Sequence, residues 1–88
     1  MKYSVEVTPK AESHLKKLDK NTLITIKEWI NKNLEGCEDP RRVGKALTGV
    51  HKGKWRYRVG DYRIIAKIED GRLIILVIEI GHRKKVYS

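Results

Sequence analysis

Two stretches of the chain carry the groups that can do chemistry. The first, KWRYRVGDYR from Lys54 to Arg63, alternates cation and aromatic, turns at Gly60-Asp61, and sets another arginine just past a tyrosine. The second, GHRKKVYS, ends the sequence with His82, Arg83, Lys84, Lys85 and Tyr87. Arginine presents a planar fork of donors that grips a phosphate through two parallel bonds. Histidine titrates near neutrality and can move a proton there. Tyrosine can stack on a base or donate a proton. These types suit attack of an RNA 2′-hydroxyl on its own phosphodiester. That reaction needs a base for the hydroxyl proton, cations for the charge that builds at phosphorus, and an acid for the leaving 5′-oxygen. Arg58, Arg63 and Arg83 are the candidates for fixed charge, His82 for proton transfer, and Tyr87 for stacking or proton donation. The set calls for no metal and no cofactor.

Register decides which of these side chains meet. A two-residue turn at Gly60-Asp61 pairs Val59 with Tyr62, Arg58 with Arg63, Tyr57 with Ile64 and Trp55 with Ala66. Alternation then sorts the hairpin into two faces. Trp55, Tyr57, Val59, Tyr62, Ile64, Ala66 and Ile68 form the side suited to a core. Lys54, Arg56, Arg58, Arg63 and Lys67 form the other, with Arg58 facing Arg63 and Lys54 facing Lys67. Like charges directly across a ladder destabilise it, by roughly 0.2–1 kcal/mol. Long cations fanning into solvent would account for one such pair. Two pairs, with Arg56 between them, favour an anion that joins them. In the preceding loop, Arg41, Arg42 and Lys45 read either as solvated charge or as further phosphate contacts, and Lys52 is counted with the contacts. His51 is a secondary candidate, His14 reads as an exposed surface residue, and Cys37 as a bystander.

The rest of the chain has to position that face. Its 88 residues are expected to form one domain, 1–88, with room for a small core. A composition 40% hydrophobic and 35% charged is that of a folded chain and not of a disordered tail. Residues 1–40 hold seven Lys against seven acids, whereas residues 41–88 hold thirteen Lys or Arg against four acids. The whole net charge of +9 therefore lies in the second half, the footprint of a polyanion partner. No membrane association is expected. The basic half has strand and not amphipathic-helix patterning, and no apolar run approaches the roughly 20 residues that span a bilayer. The opening MKYSVEVT alternates instead of forming the apolar block of a secretion signal, and the single Cys37 cannot form an internal disulfide. A cytoplasmic protein is the expectation.

Period-two alternation over KYSVEV argues a strand. Thr8-Pro9 reads as a helix start, with Ala11, Leu15 and Leu18 at helical spacing to about Asp19. A second helix begins near Asn21, with Leu23, Ile26, Ile30 and Leu34 on one face and Gly36 past its end. Residues 37–53 read as loop. Strands follow at about 54–59, 62–69 and 72–81, joined by two-residue turns at Gly60-Asp61 and Asp70-Gly71. The predicted class is α+β: a small antiparallel sheet of about four strands with a two-helix hairpin packed on one face, in the order βααβββ. Pairing through Asp70-Gly71 places Ile74, Leu76, Ile78 and Ile80 on the cation side. That strand is either central and covered on both faces or part of an apolar patch for a partner.

LTGVHKGKWRYRVGDYRIIAKIEDGRLIILVIEIGHRKKVY resembles the RelE/ParE superfamily of bacterial toxins from toxin–antitoxin pairs. The resemblance covers essentially the whole chain, and its most specific pieces are the WRYRVGDYR hairpin and the G-H-R-x-x-V-Y ending. It implies a ribosome-dependent endoribonuclease that cuts mRNA in the ribosomal A site, held inactive by a cognate antitoxin that wraps the toxin. Arg56 and Arg58 match the basic strand positions, Arg63 the arginine after the turn, Arg83 the one in the terminal loop, and Tyr87 the terminal tyrosine. The best-studied members carry lysines at the strand positions, proposed to act in proton transfer. Arginine, with a pKa above about 12, is a poor base. That departure moves the proton-transfer role to His82 and leaves Arg56 and Arg58 as electrostatic groups, with Lys54, Lys67, Arg41, Arg42, Lys45 and Lys52 as RNA contacts. The same superfamily offers an alternative, a ParE-like inhibitor of DNA gyrase without nuclease chemistry; a third reading is a plain RNA-binding module or a toxin whose activity has decayed. The antitoxin is expected over the apolar and basic side of the sheet, its acidic residues meeting Arg58 and Arg63.

Overall fold

The computed structural model describes residues 1–82, so the expected roles of Arg83 and Tyr87 lie outside the described residues. The elements are β1 (Ser4–Val7), α1 (Pro9–Lys16), α2 (Lys20–Asn33), β2 (Lys45–Ala46), a short 3-10 turn (Gly49–His51), β3 (Trp55–Val59), β4 (Tyr62–Glu69) and β5 (Ile74–His82). Both helices start where the sequence places caps. The Thr8 side chain accepts from the Ala11 N–H with Pro9 in the first turn, and the Asp19 side chain accepts from the Thr22 N–H. Ala11, Leu15, Ile26, Ile30 and Leu34 from the helical part pack on Tyr57, Ile64, Ala66, Ile75, Val77 and Ile80 of the sheet. Helices on one face leave the other face for the cations.

The α+β class and the element order are as expected, and the sheet has five strands in the order β1-β5-β4-β3-β2. The fifth is β2, two residues inside the glycine-marked stretch read as loop, with Lys45 opposite Arg56 and Ala46 opposite Trp55. The sheet is also mixed, since β1 runs parallel to β5. Alternation in a short strand says nothing about the direction of a partner some 70 residues away. β1 covers β5 only as far as Val77, and α1 seals the edge beyond. The Thr8 N–H donates to Val77 O at 3.0 Å, and His14 Nδ1 accepts from the Ile80 N–H at 3.2 Å. His14, read as a surface residue, is therefore part of the sheet's hydrogen bonding.

The turn at Gly60-Asp61 forms as predicted, and every expected β3–β4 pair from Val59–Tyr62 to Trp55–Ala66 is present. Lys54 lies one residue before β3, with its N–H bonded to His51 O and its carbonyl accepting from the Leu47 N–H, so the Lys54–Lys67 pair falls outside the ladder. The second turn differs. Glu69 pairs with Ile74, leaving the four residues 70–73 as the connection, with Leu73 at φ 53°. Two extra residues keep the faces in phase, so Leu76 sits opposite Lys67 on the cation side as expected. A bulge then exchanges them: Ala66 pairs with Val77 but Ile65 with Glu79. Ile80 consequently pairs with Ile64 and is buried in the core, and Glu79 takes its place beside the cations.

Candidate nucleic-acid interface

Strand pleating delivers the cluster. Arg58 is directly opposite Arg63, Arg56 is opposite Ile65 on one side and Lys45 on the other, and Lys67 is one pleat away from Ile65 on the same face. Arg58, Lys45 and Lys67 are exposed. Ile65 lies on this face, outside the helix-side core, yet is only 1% exposed. The Nε atoms of Arg56 and Arg63 are buried too, and Arg56 Nε has no hydrogen-bond partner among the described residues. Two guanidinium stems thus lie low on the sheet, which places their charge at a fixed height and leaves a donor of Arg56 unsatisfied. Glu79 sits beside them with its pKa lowered, first by the hydrogen bond from Lys10 and then by the charge of that lysine. It stays ionised and offsets part of the local positive charge.

The structure divides the remaining candidates. His82 is opposite Tyr62, its ring edge-on to the tyrosine at 5.6 Å and 77°, while Gly81 is the residue opposite Arg63. Alternation therefore puts His82 on the helix side of the sheet, away from Arg58 and Arg63. Arg41 is occupied: its two terminal nitrogens reach the two oxygens of Asp70, each at 3.0 Å, and the Tyr3 hydroxyl donates to the same carboxylate at 2.6 Å. Arg42 and Lys52 are exposed on the loops before β2 and β3, and Lys54 is half-buried at the start of the hairpin.

The Asp70 carboxylate is held down at a pKa of about 2, first by the Arg41 bond and then by the Tyr3 hydroxyl. A folded value below the ordinary 3.8 means that this contribution is present above about pH 4 and is lost as pH falls toward 2. Melting temperature is expected to fall over that window more steeply in the natural protein than in Asp70→Asn. Parallel curves for the two proteins would show that the contact contributes nothing.

Beside the arginines, a cleft of about 300 Å³ is lined by Trp29, Val43, Gly44, Lys45, Arg56 and Arg58. Trp29 comes from α2, three residues after the buried Ile26, and its ring lies 5.7 Å from that of Tyr57. Sequence reasoning passed over Trp29. The available signal was an aromatic next to the apolar stripe of a helix that packs over a basic strand.

Comparison with known proteins gives the family and the fold. The family model described as ParE toxin of type II toxin–antitoxin system, parDE, matches residues 5–87. Toxin RelG of Mycobacterium tuberculosis is 31% identical over 87 residues, covering 99% of this chain and 98% of RelG. The crystal structure of the toxin–antitoxin complex RelBE2 from the same organism contains a similar chain, with a TM-score of 0.85, 30% identity, and coverage of 94% of this chain and 93% of that one. The isolated Escherichia coli RelE toxin shares the fold at a TM-score of 0.70 and 21% identity, over 98% of this chain and 92% of that one.

Proposed function

The chain belongs to the ParE toxin family of type II toxin–antitoxin systems, within the RelE/ParE superfamily, and from that membership we propose that it is a ribosome-dependent endoribonuclease of the RelE kind. The observation that carries the reading is the placement of Arg58 against Arg63, with Arg56 half sunk beside them, on the face the helices leave open. Such a cluster is costly to keep without an anion and suits a phosphodiester whose charge rises in the transition state. Arg56, Arg58 and Arg63 hold the phosphate and stabilise that charge, and Lys45, Lys54 and Lys67 extend the track for the strand. Arg83 and Tyr87 complete the site in this proposal. The mRNA 2′-hydroxyl loses its proton and bonds to phosphorus, the bond to the 5′-oxygen breaks, and that oxygen takes up a proton. The products are a 2′,3′-cyclic phosphate and a free 5′-hydroxyl.

In this reading a cognate antitoxin covers Arg58, Arg63 and, farther along the same face, Leu76 opposite Lys67, and the toxin works in the cytoplasm. Among the described residues no helix is long and apolar enough to cross a membrane. RelBE2 and the E. coli RelBE assembly are both toxin–antitoxin complexes of chains with this fold. A second reading, gyrase inhibition without cleavage, draws on the ParE description of the matched family.

The deciding experiment adds the purified protein to ribosomes programmed with a labelled mRNA codon in an empty A site. A new fragment ending in a cyclic phosphate, absent with free mRNA, is expected. No cut by folded protein would send the assignment to gyrase, where loss of supercoiling is the readout. The same assay separates the arginines from the histidine. Arg63→Ala is expected to lower the cleavage rate about a hundredfold or more, and His82→Ala by less than about tenfold, because its ring stands with Tyr62 on the opposite face. Removal of a general base costs about a hundredfold or more, so a loss of that size at His82 would make it the proton-transfer group after all.

A further inference from the structure

The cleft beside the arginines has a second use. Trp29, half-buried, lines it from the helix side, with its ring 5.7 Å from that of Tyr57 at a 53° tilt. The cations reach it from the other face around the edge of β3: Lys45 and Arg58, both exposed, and Arg56, whose buried Nε has no partner among the described residues. Gly44 also lines it, its backbone packed closely on Trp55 and on the Arg56 carbonyl. Two β2 residues cover β3 only at Trp55 and Arg56, so the cleft opens where that cover stops. An aromatic plane next to a cation track is how proteins hold a single strand of nucleic acid, with bases stacking and phosphates running along the charges. At about 300 Å³ the cleft lies at the lower end of ligand-site sizes and suits one base, not a base pair.

We propose that this cleft is a nucleobase subsite: one unstacked base of the RNA strand lies on Trp29, with its phosphate held by Lys45 and Arg58. The proposal rests on the RNA-cutting reading above and adds to it a residue that grips the base flanking the cut. Stacking tolerates every base, so Trp29 supplies affinity and strand position with little sequence preference. Arg58 then serves both the scissile phosphate side and the subsite side of one track.

The test uses a short RNA carrying 2′-O-methyl sugars, which can bind but cannot be cut by 2′-hydroxyl attack. Titrated into isotope-labelled natural protein, it is expected to move the Trp29 indole N–H resonance. The Trp55 indole, tied to Val43 O at 2.7 Å, should move much less. Trp29→Leu should weaken binding by roughly 5- to 150-fold and Trp29→Phe by less than about fivefold, with fold integrity read from the rest of the spectrum. A Trp29 resonance that stays still at saturation, with binding abolished by Arg58→Ala, would sink the subsite while leaving the nuclease reading intact. No binding at all by the natural protein would also sink it, and the ribosome assay would then decide the nuclease reading on its own. The Trp29→Phe variant covers the case in which Trp29→Leu fails to fold.

Discussion

Replacing Arg58 with threonine is expected to make the fold more stable and the protein nearly inactive. In the folded chain Arg58 stands directly opposite Arg63, and each is held in place by strand pairing. Removing one member of a like-charge cross-strand pair is expected to gain a few tenths to about 1 kcal/mol, and threonine suits an exposed strand position better than most polar residues. For a chain of this size, 1 kcal/mol corresponds to a rise of about 4–8 °C in melting temperature. Cleavage should move the other way, because a fixed positive charge aimed at a developing oxyanion is worth about 10²–10³ in rate. Salt separates the two effects. Raising ionic strength should narrow the stability gap between the natural protein and Arg58→Thr, since screening relieves the repulsion that the mutation removes. A melting temperature that falls together with activity would mean that Arg58 supports the fold, and the anion-site reading of this face would lose its main argument.

The reason Arg58 and Arg63 were legible in the sequence is local. A Gly-Asp pair between alternating runs dictates a two-residue turn, and the turn dictates the register of both strands. Where the chain departs from that reading, the deciding contact is distant. The turn after β4 carries an Asp-Gly signal, yet Asp70 is engaged by Arg41 and Tyr3, and the chain runs on to Leu73 before turning back into β5. The one mark of the bulge in LIILVIEI is Glu79, which unbroken alternation would turn toward the core opposite Ile64; the shift puts Ile80 there and moves Glu79 among the cations. It coincides with the place where β1 ends and α1 takes over the edge of β5. His82 follows from the same shift, since its face depends on counting through the bulge. Arg41 shows the other limit: charge alone cannot distinguish a phosphate ligand from half of an ion pair.

Gly44→Ala is expected to be more damaging than the same change at Gly36, Gly49, Gly53, Gly60 or Gly71, where an added Cβ meets nothing within 4 Å. Gly44 has a φ of 82°, and an alanine Cβ there would run into the backbone carbonyl of Arg56 and come within 2.6 Å of Trp55 Nε1. The indole cannot easily give way, because that same nitrogen donates to Val43 O at 2.7 Å. Left-handed strain and overpacking together are expected to cost about 3 kcal/mol or more, a large part of the roughly 5–15 kcal/mol that holds a domain together. Gly36 provides the control. It has nearly the same φ, 77°, but nothing within 4 Å of where a Cβ would stand. Gly36→Ala should therefore show the backbone cost alone, about 1–2 kcal/mol. Urea unfolding of the two variants isolates the price of the collision from that of the dihedral. The difference also has a functional consequence, because Gly44 joins the loop that carries Lys45 to its place opposite Arg56 and lines the cleft beside Trp29. At a temperature where Gly44→Ala is still folded, RNA binding should weaken in that variant and stay at the natural level in Gly36→Ala. Equal destabilisation by the two alanines would mean that the loop can move off Trp55 at little cost, and that β2 does not hold Lys45 firmly against the arginines.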